Sequence, residues 1–241
     1  MTVLVVGASG ATGQKLVEQL RLQKHKVKVI VRSPEKLPKS WQNDAHIQII
    51  SASVLDLSDS EMCNIVRGCN AVASCLGHNL TWKGIYGQPR KLVTDATKRL
   101  CNAIKANNPQ TPIKFVLMNT TGNRNRDLNE PISFAQKCVI GLLRILLPPH
   151  VDNEAAADYL RTEIGQNNTA IEWTAVRPDG LINEDEVSEY EVYKSPTRSA
   201  IFNAGKVSRI NVGHFMASLI TDDSLWAKWK GQIPVIYSAS H

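Results

Sequence analysis

No segment of the chain is apolar for long enough to cross a bilayer; the longest, around Val139 to Leu147, is short and interrupted. Cysteine is sparse: the 5 cysteines are an odd number and show no metal-like pairing, which points to free thiols in a reducing compartment. The 6 histidines show no ligand spacing either, so no metal is expected. No Gly-x-Ser-x-Gly turn is present, which removes support for hydrolase chemistry. Strand-like residues begin at Thr2 without a basic leader or cleavage site, and a soluble, cytoplasmic protein is the expectation.

What is there is ordinary in bulk and organised in detail. The 241 residues, 43% hydrophobic and 21% charged, suffice for a substantial core. The net charge of +6 raises the question of nucleic acid, but its distribution argues against that. Basic residues concentrate between Arg21 and Lys39 with no aromatics interleaved, and an acidic run from Glu184 to Glu191 opposes them. A small molecule is therefore the expected partner, with neither nucleic acid nor a membrane.

Apolar runs at Thr2–Val6, Val27–Arg32, His46–Ile50, Ala71–Leu76, Ile113–Met118, Ala170–Arg177 and Ile233–Ser238 read as strands. Between them lie helical patterns at Thr12–Leu22, at Ser58–Val66 with Ser58 as N-cap, and from Pro89 to Asn107. Nearly continuous apolar strands alternating with helices predict a doubly wound, mostly parallel α/β sheet. No repeat or linker divides the chain, so residues 1–241 read as one domain, with 178–232 supplying loops on the substrate side.

The first turn of that sheet is "GASGATG". Gly7 permits a tight turn out of the strand, Gly10 lets backbone approach a phosphate, and Gly13 lets helix and strand pack closely. The N–H groups at the helix start, from Ala11 onward, then face an anion, and Ser9 and Thr12 add hydroxyls. This is the dinucleotide turn of a Rossmann fold. An NAD site usually has an acid at the end of the second strand, to accept from the ribose 2′-hydroxyl. Here that position is Arg32, followed by Lys36, and a guanidinium grips a 2′-phosphate instead. NADP, as NADPH, is the expected cofactor.

"GASGATG", "VIVRSPEKL", "SVLDLSD", "SCLG", "FVLMNTTG" and "WTAVRPDGL" follow one another in an order that resembles atypical short-chain dehydrogenases/reductases. The likeness is to the NmrA-like, NAD(P)H-binding branch that includes flavin and biliverdin reductases. It extends to "VSRINVGHF", where Asn211 replaces the family's Asp. The resemblance implies that Asp56 and Leu57 border the adenine. It further implies that Leu76 and Gly77 line the ribose and diphosphate, and that Pro178 bounds the nicotinamide.

Many relatives in that superfamily carry Tyr-x-x-x-Lys on the helix before the sixth strand. The corresponding helix, Asn153 to Gln166, has Tyr159, but Glu163 stands four places on, where an anion would raise the tyrosine's pKa. A literal match at Tyr190 and Lys194 falls after the sixth strand, in the wrong place. On the fifth strand, Thr120 of "NTTG" either hydrogen-bonds a substrate carbonyl or caps the turn. His78, beside Gly77, either reaches the reacting centre or is simply solvated. Thr120, Tyr159 and His78 are the catalytic candidates.

Two segments remain. Trp82 and Tyr86, in the loop from Gly77 to Lys91, either stack on a planar substrate or cover the cleft floor. The apolar helix from Ile132 to His150, ended by Pro148-Pro149, is expected to pack on the sheet or on a second copy in a homodimer. Two functions stay open: an NADPH-dependent reductase of a small carbonyl, quinone or flavin-like acceptor, and a non-catalytic NADP(H)-responsive regulator. A flavin or quinone can take its proton from water, so the missing tyrosine does not exclude hydride transfer.

Overall fold

Runs of Val, Ile and Leu with no polar alternation are stable as strands only when both faces are covered. The computed structural model describes residues 1–78, 81–128, 130 and 132–239. The strands are β1 (Thr2–Val6), β2 (Lys26–Val31), β3 (Ile47–Ser51), β4 (Ala71–Ser74) and β5 (Ile113–Met118). They continue with β6 (Ile171–Pro178), β7 (Gly180–Ile182), β8 (Tyr190–Tyr193), β9 (Lys206–Ser208) and β10 (Val235–Ser238). The main sheet runs in the order β3-β2-β1-β4-β5-β6-β10-β8, parallel throughout except that β8 lies antiparallel to β10. β7 and β9 form a separate parallel pair. The doubly wound expectation holds, with strand order reversing between β1 and β4.

Helices α1 (Ala11–Leu22), α2 (Asp59–Val66), α3 (Trp82–Tyr86) and α4 (Leu92–Ala106) precede β5. They are followed by α5 (Phe134–Leu146), α6 (Pro148–Tyr159), α7 (Arg209–Thr221) and α8 (Asp223–Trp229). Alternation along β1 divides the core. Val3 and Val5 face α1, α7 and α8, while Leu4 and Val6 face α2, α4 and α6. Each of these fully buried side chains contributes about 1.5–3 kcal/mol.

Several expectations need correction. The helix expected from Pro89 starts at Leu92, where the Asp152 carboxylate accepts from the Val93 and Thr94 N–H groups. A cap supplied from another helix leaves no local signal. The helix expected over Ile132–His150 ends at Leu146, and Pro148 and Pro149 instead open α6, where missing N–H groups cost nothing. α5 does not lie on the sheet: Ile140 is its buried residue, while Phe134, Leu142, Ile145 and Leu146 are exposed. The helix expected over Asn153–Gln166 is α6 followed by a π-helical turn at Leu160–Ile164. The 178–232 segment is more than loops, because α7 is buried nearly all round. At Gly213 a Cβ would stand 2.8 Å from the Leu16 nitrogen, so the glycine lets α7 and α1 touch backbone to backbone.

The far side of the sheet is tied by Arg177 at the end of β6, which is fully buried. Its Nε donates to the Ile233 carbonyl at 2.9 Å, Nη1 to the Asn123 carbonyl at 2.9 Å, and Nη2 to the Lys194 carbonyl at 3.3 Å. Nη2 and Nη1 also pair with Glu130 at 2.7 and 3.1 Å. Removing one member of such a pair strands the other charge away from water. Arg177→Met is expected to cost about 3–5 kcal/mol in urea unfolding. Adding Glu130→Leu to that variant should recover much of the loss; no recovery would show that the carbonyl contacts dominate.

Candidate functional site

The turn after β1 is shaped by what the chain cannot fit. Gly7 adopts φ +79°, and a Cβ there would lie 2.5 Å from the Cys75 carbonyl carbon after β4. A Cβ on Gly13 would stand 2.2 Å from the Gly7 oxygen. The turn is therefore pressed between β4 and α1, at the point where strand order reverses. Gly10 caps α1 with no side-chain acceptor, and the first turn of α1 holds no acid. Its leading N–H groups lack intrahelical partners, so they and the helix dipole present a site for an anion. Ser9 and Ala11 are exposed at this end, while Thr12 is buried beneath it.

From this turn a cleft of about 360 Å³ extends across the ends of β2 and β3. It brings together five of the expected residues: Gly7, Ser9, Arg32, Asp56 and Leu76. Arg32 is exposed and, among the described residues, forms no ion pair. Lys36 lies in the 3-10 turn Pro34–Lys36, exposed and off the cleft lining. Leu57 is also off it. Its side chain packs into the core while the Arg99 guanidinium of α4 holds the Leu55 and Leu57 carbonyls, and Leu55 lines the cleft instead. A second hollow of about 260 Å³ continues past Arg32 to Gly77 and His78, sharing Gln88, Pro89 and Leu92 with the first.

His78 is neither solvated nor free. Its Nε2 lies 2.8 Å from Asp152 Oδ2, which also accepts from the Val93 N–H at 2.8 Å. Asp152 Oδ1 accepts from the Thr94 N–H at 2.9 Å. Burial alone would raise the Asp152 carboxyl's pKa, but the bonds from His78, Thr94 and Val93 outweigh it and hold it below the usual value. An ionised Asp152 accepts only, so His78 donates through Nε2. One carboxylate thus joins the loop after β4, the start of α4 and α6. Nothing near Asp152 in the sequence announced it.

At the end of β5, the Asn119 amide donates to the Asn153 carbonyl of α6 at 2.8 Å. Thr120 Oγ1 accepts from the Gly122 N–H at 3.3 Å, which leaves its own proton free to be donated. The Thr121 N–H donates to the Pro178 carbonyl at 3.2 Å, which brings the ends of β5 and β6 together. Thr120 and Pro178 are therefore close to each other. Tyr159 is not beside them. The residues of α6 beside this strand end are His150, whose ring would sit 3.3 Å from a Cβ on Gly122, and Asn153. Tyr159 lies about 9 Å further along the helix. There it packs near Cys101 and under the Lys98 ammonium. Burial first, then Cys101 and Glu163, push its hydroxyl up to about 12.

Three further positions resolve. Trp82 and Tyr86 meet in a tilted pair, centroids 4.6 Å apart, outside the clefts, and Tyr86 donates to the Leu146 carbonyl of α5. Tyr190 meets the His214 Nδ1 of α7 at 2.8 Å, far from a proton-donating role beside Lys194. Beyond Thr121 and Gly122 opens a hollow of about 520 Å³, between the start of α5 and the segment Pro196 to Ala200. Ser199 Oγ closes its rim by donating to Gln136 Oε1 at 3.0 Å.

Behind His150, Glu154 is buried and bonded bidentately by Arg144 at 2.8 and 2.9 Å. Burial alone would raise its pKa, but His150 and Arg144 hold it down, to about 2. A depressed folded-state pKa adds stability that is present above the ordinary value of 4.5 and is lost as pH falls toward 2. Glu154→Gln should flatten that part of the acid limb in unfolding experiments run from pH 5 to 2.5. An unchanged limb would remove Glu154 as its source.

Known proteins resemble this chain in sequence and in fold. An uncharacterized chloroplast protein of Arabidopsis thaliana is 27% identical over 182 residues, which cover 76% of this chain. The chain spans 60% of that relative's length. A short-chain dehydrogenase/reductase from Veillonella parvula, solved in complex with NADP, superposes with a TM-score of 0.71 at 16% identity, over 99% of this chain and 95% of its own. An oxidoreductase from Lactococcus lactis does so with a TM-score of 0.70 at 16% identity, over 100% and 92%. A family model described as NAD(P)H-binding matches residues 7–223, from the first glycine of the turn to the start of α8. By that match, this chain belongs to the NAD(P)H-binding family.

Proposed function

We propose that the protein is an NADPH-dependent reductase of a small carbonyl, quinone or flavin-like acceptor. The observation that carries this reading is the cleft from Gly7 to Asp56, which meets the bare N-terminus of α1 at one end and Arg32 at its side. The N–H groups of α1 fit a pyrophosphate, and an exposed guanidinium where an NAD site would place an acid fits a 2′-phosphate. A nicotinamide dinucleotide held there supplies the hydride. Gly77 and Pro178 would flank its reacting end. The free proton of Thr120 would orient an acceptor oxygen, and the 520 Å³ hollow past Thr121 would hold the rest of the acceptor.

The second reading, a non-catalytic NADP(H)-responsive regulator, is favoured by one observation. Tyr159 lies away from the cleft and His78 is committed to Asp152, so neither offers a free acid. Water would then protonate the product of a quinone or flavin. Oxidation of NADPH in the presence of any acceptor of these classes decides for the reductase, and none with any of them decides for the regulator.

Two expected outcomes follow from these assignments. NADPH should bind more tightly than NADH, and Arg32→Ala should weaken NADPH about tenfold to a hundredfold while leaving NADH unchanged, followed by nucleotide fluorescence. Equal affinity of the wild-type protein for both nucleotides would sink the 2′-phosphate assignment. Thr120→Val should lower kcat/KM about tenfold with the NADPH dissociation constant unmoved, and an unchanged kcat/KM would remove Thr120 from the reaction.

A further inference from the structure

The 520 Å³ hollow beside the end of β5 is of a size that takes a small molecule, and its charge is lopsided. Two arginines line it, Arg124 and Arg198, against one acid, Glu130. Glu130 is already occupied: Oε1 accepts from Arg177 at 2.7 Å, while Oε2 accepts from Arg177 at 3.1 Å and from the Asn125 N–H at 2.8 Å. Its charge is matched inside the protein, by a residue that does not line the hollow.

Asp179 is the other acid nearby; burial raises its carboxyl's pKa, and the Arg198 charge offsets only part of that. Its oxygens accept from the Thr121 hydroxyl at 3.1 Å, the Gly180 N–H at 3.0 Å and the Gly205 N–H at 2.8 Å. Arg198 also lies over the Tyr237 ring, its guanidinium carbon 5.7 Å from the centroid. Arg124 has no such company. Its Nε is buried without a hydrogen-bond partner, and among the described residues it forms no ion pair. A buried guanidinium nitrogen with nothing to donate to carries a cost that no group among the described residues offsets. The first turn of α5, which opens on this hollow at Ser133, holds no acid to offset either arginine.

We infer that this hollow recognises a carboxylate, held by Arg124 and Arg198, so that the acceptor reduced here is a small oxo acid. The inference deepens the reductase reading and rests on it for the reaction, though not for the binding. A planar carboxylate matches the guanidinium fork. With the carboxylate anchored past Gly122, the ketone of the same molecule lies toward Thr120 and Pro178, where the cofactor's hydride is delivered. The carbonyl carbon gains the hydride from the reduced nicotinamide dinucleotide, its oxygen takes a proton from water, and a hydroxy acid leaves with the oxidised dinucleotide.

The test compares matched probes by titration calorimetry, with and without saturating NADP⁺: benzoylformate against its methyl ester, and 4-oxopentanoate against 2-pentanone. Each acid should bind about tenfold or more tightly than its neutral counterpart. Arg124→Gln with Arg198→Gln should abolish that preference, and Arg124→Lys with Arg198→Lys should restore part of it. The wild-type comparison needs no variant, so a variant that fails to fold leaves the test intact. Acids that bind no better than their neutral partners, or a preference that survives the double glutamine variant, overturn the inference. NADPH binding, titrated separately, reports on the reductase reading alone. An arginine-dependent acid preference without NADPH binding would uphold this site and end that reading.

Discussion

Arg177 is sealed from water, and a buried guanidinium is tolerated only where its charge is matched and its donors are used. Meeting that condition recruits four residues from three separate parts of the chain. The Ile233 carbonyl leads into β10, the Lys194 carbonyl follows β8, and Asn123 and Glu130 belong to the connection after β5. The connections after β5 and β8 and the approach to β10 are thereby fastened to the end of a core strand. One wall residue of the 520 Å³ hollow is fixed by this contact, since Glu130 is part of that lining.

Asp152 plays the corresponding part beside the clefts that open past Arg32. Its two oxygens accept from His78 and from the first N–H groups of α4, and its own carbonyl accepts from Thr94 Oγ1 at 2.9 Å. Asn119 adds a bond from β5 to Asn153, the next residue of α6. The loop after β4, the start of α4 and the start of α6 are thus held together where the strands end. Such polar junctions are demanding: each buried group needs its partner, and a single loss exposes several others. They also explain why this site can rest on loops and helix ends and still keep its shape.

The sheet and the glycine turn after β1 were legible because they follow from local pattern. β1 and β5 fall on the residues expected, and Ser58 caps α2 with the reciprocal bond from Glu61, because apolar runs and capping boxes are written in neighbouring residues. Residues at strand ends were legible for the same reason, and the cleft gathers Gly7, Ser9, Arg32, Asp56 and Leu76. Positions judged by alignment of a helix alone fared worse. Tyr159 sits too far along α6, since the residue count from the strand end depends on where the helix begins, and Pro148 begins it earlier than expected. Trp82 and Tyr86 missed the cleft because they lie on a short helix that turns Tyr86 toward α5 and leaves Trp82 exposed.

The sequence by itself determined the doubly wound order and a turn with room for a pyrophosphate, because strand period, glycine spacing and caps are encoded over a few residues. It also placed a cation where the second strand ends. Only the tertiary structure decided that His78 is locked to Asp152, that Arg177 and Glu130 form a buried pair, and that Arg124 and Arg198 share one hollow. Those partners lie 74, 47 and 74 positions apart in the chain. Such meetings depend on how elements pack around the sheet, and no window along the sequence contains both members.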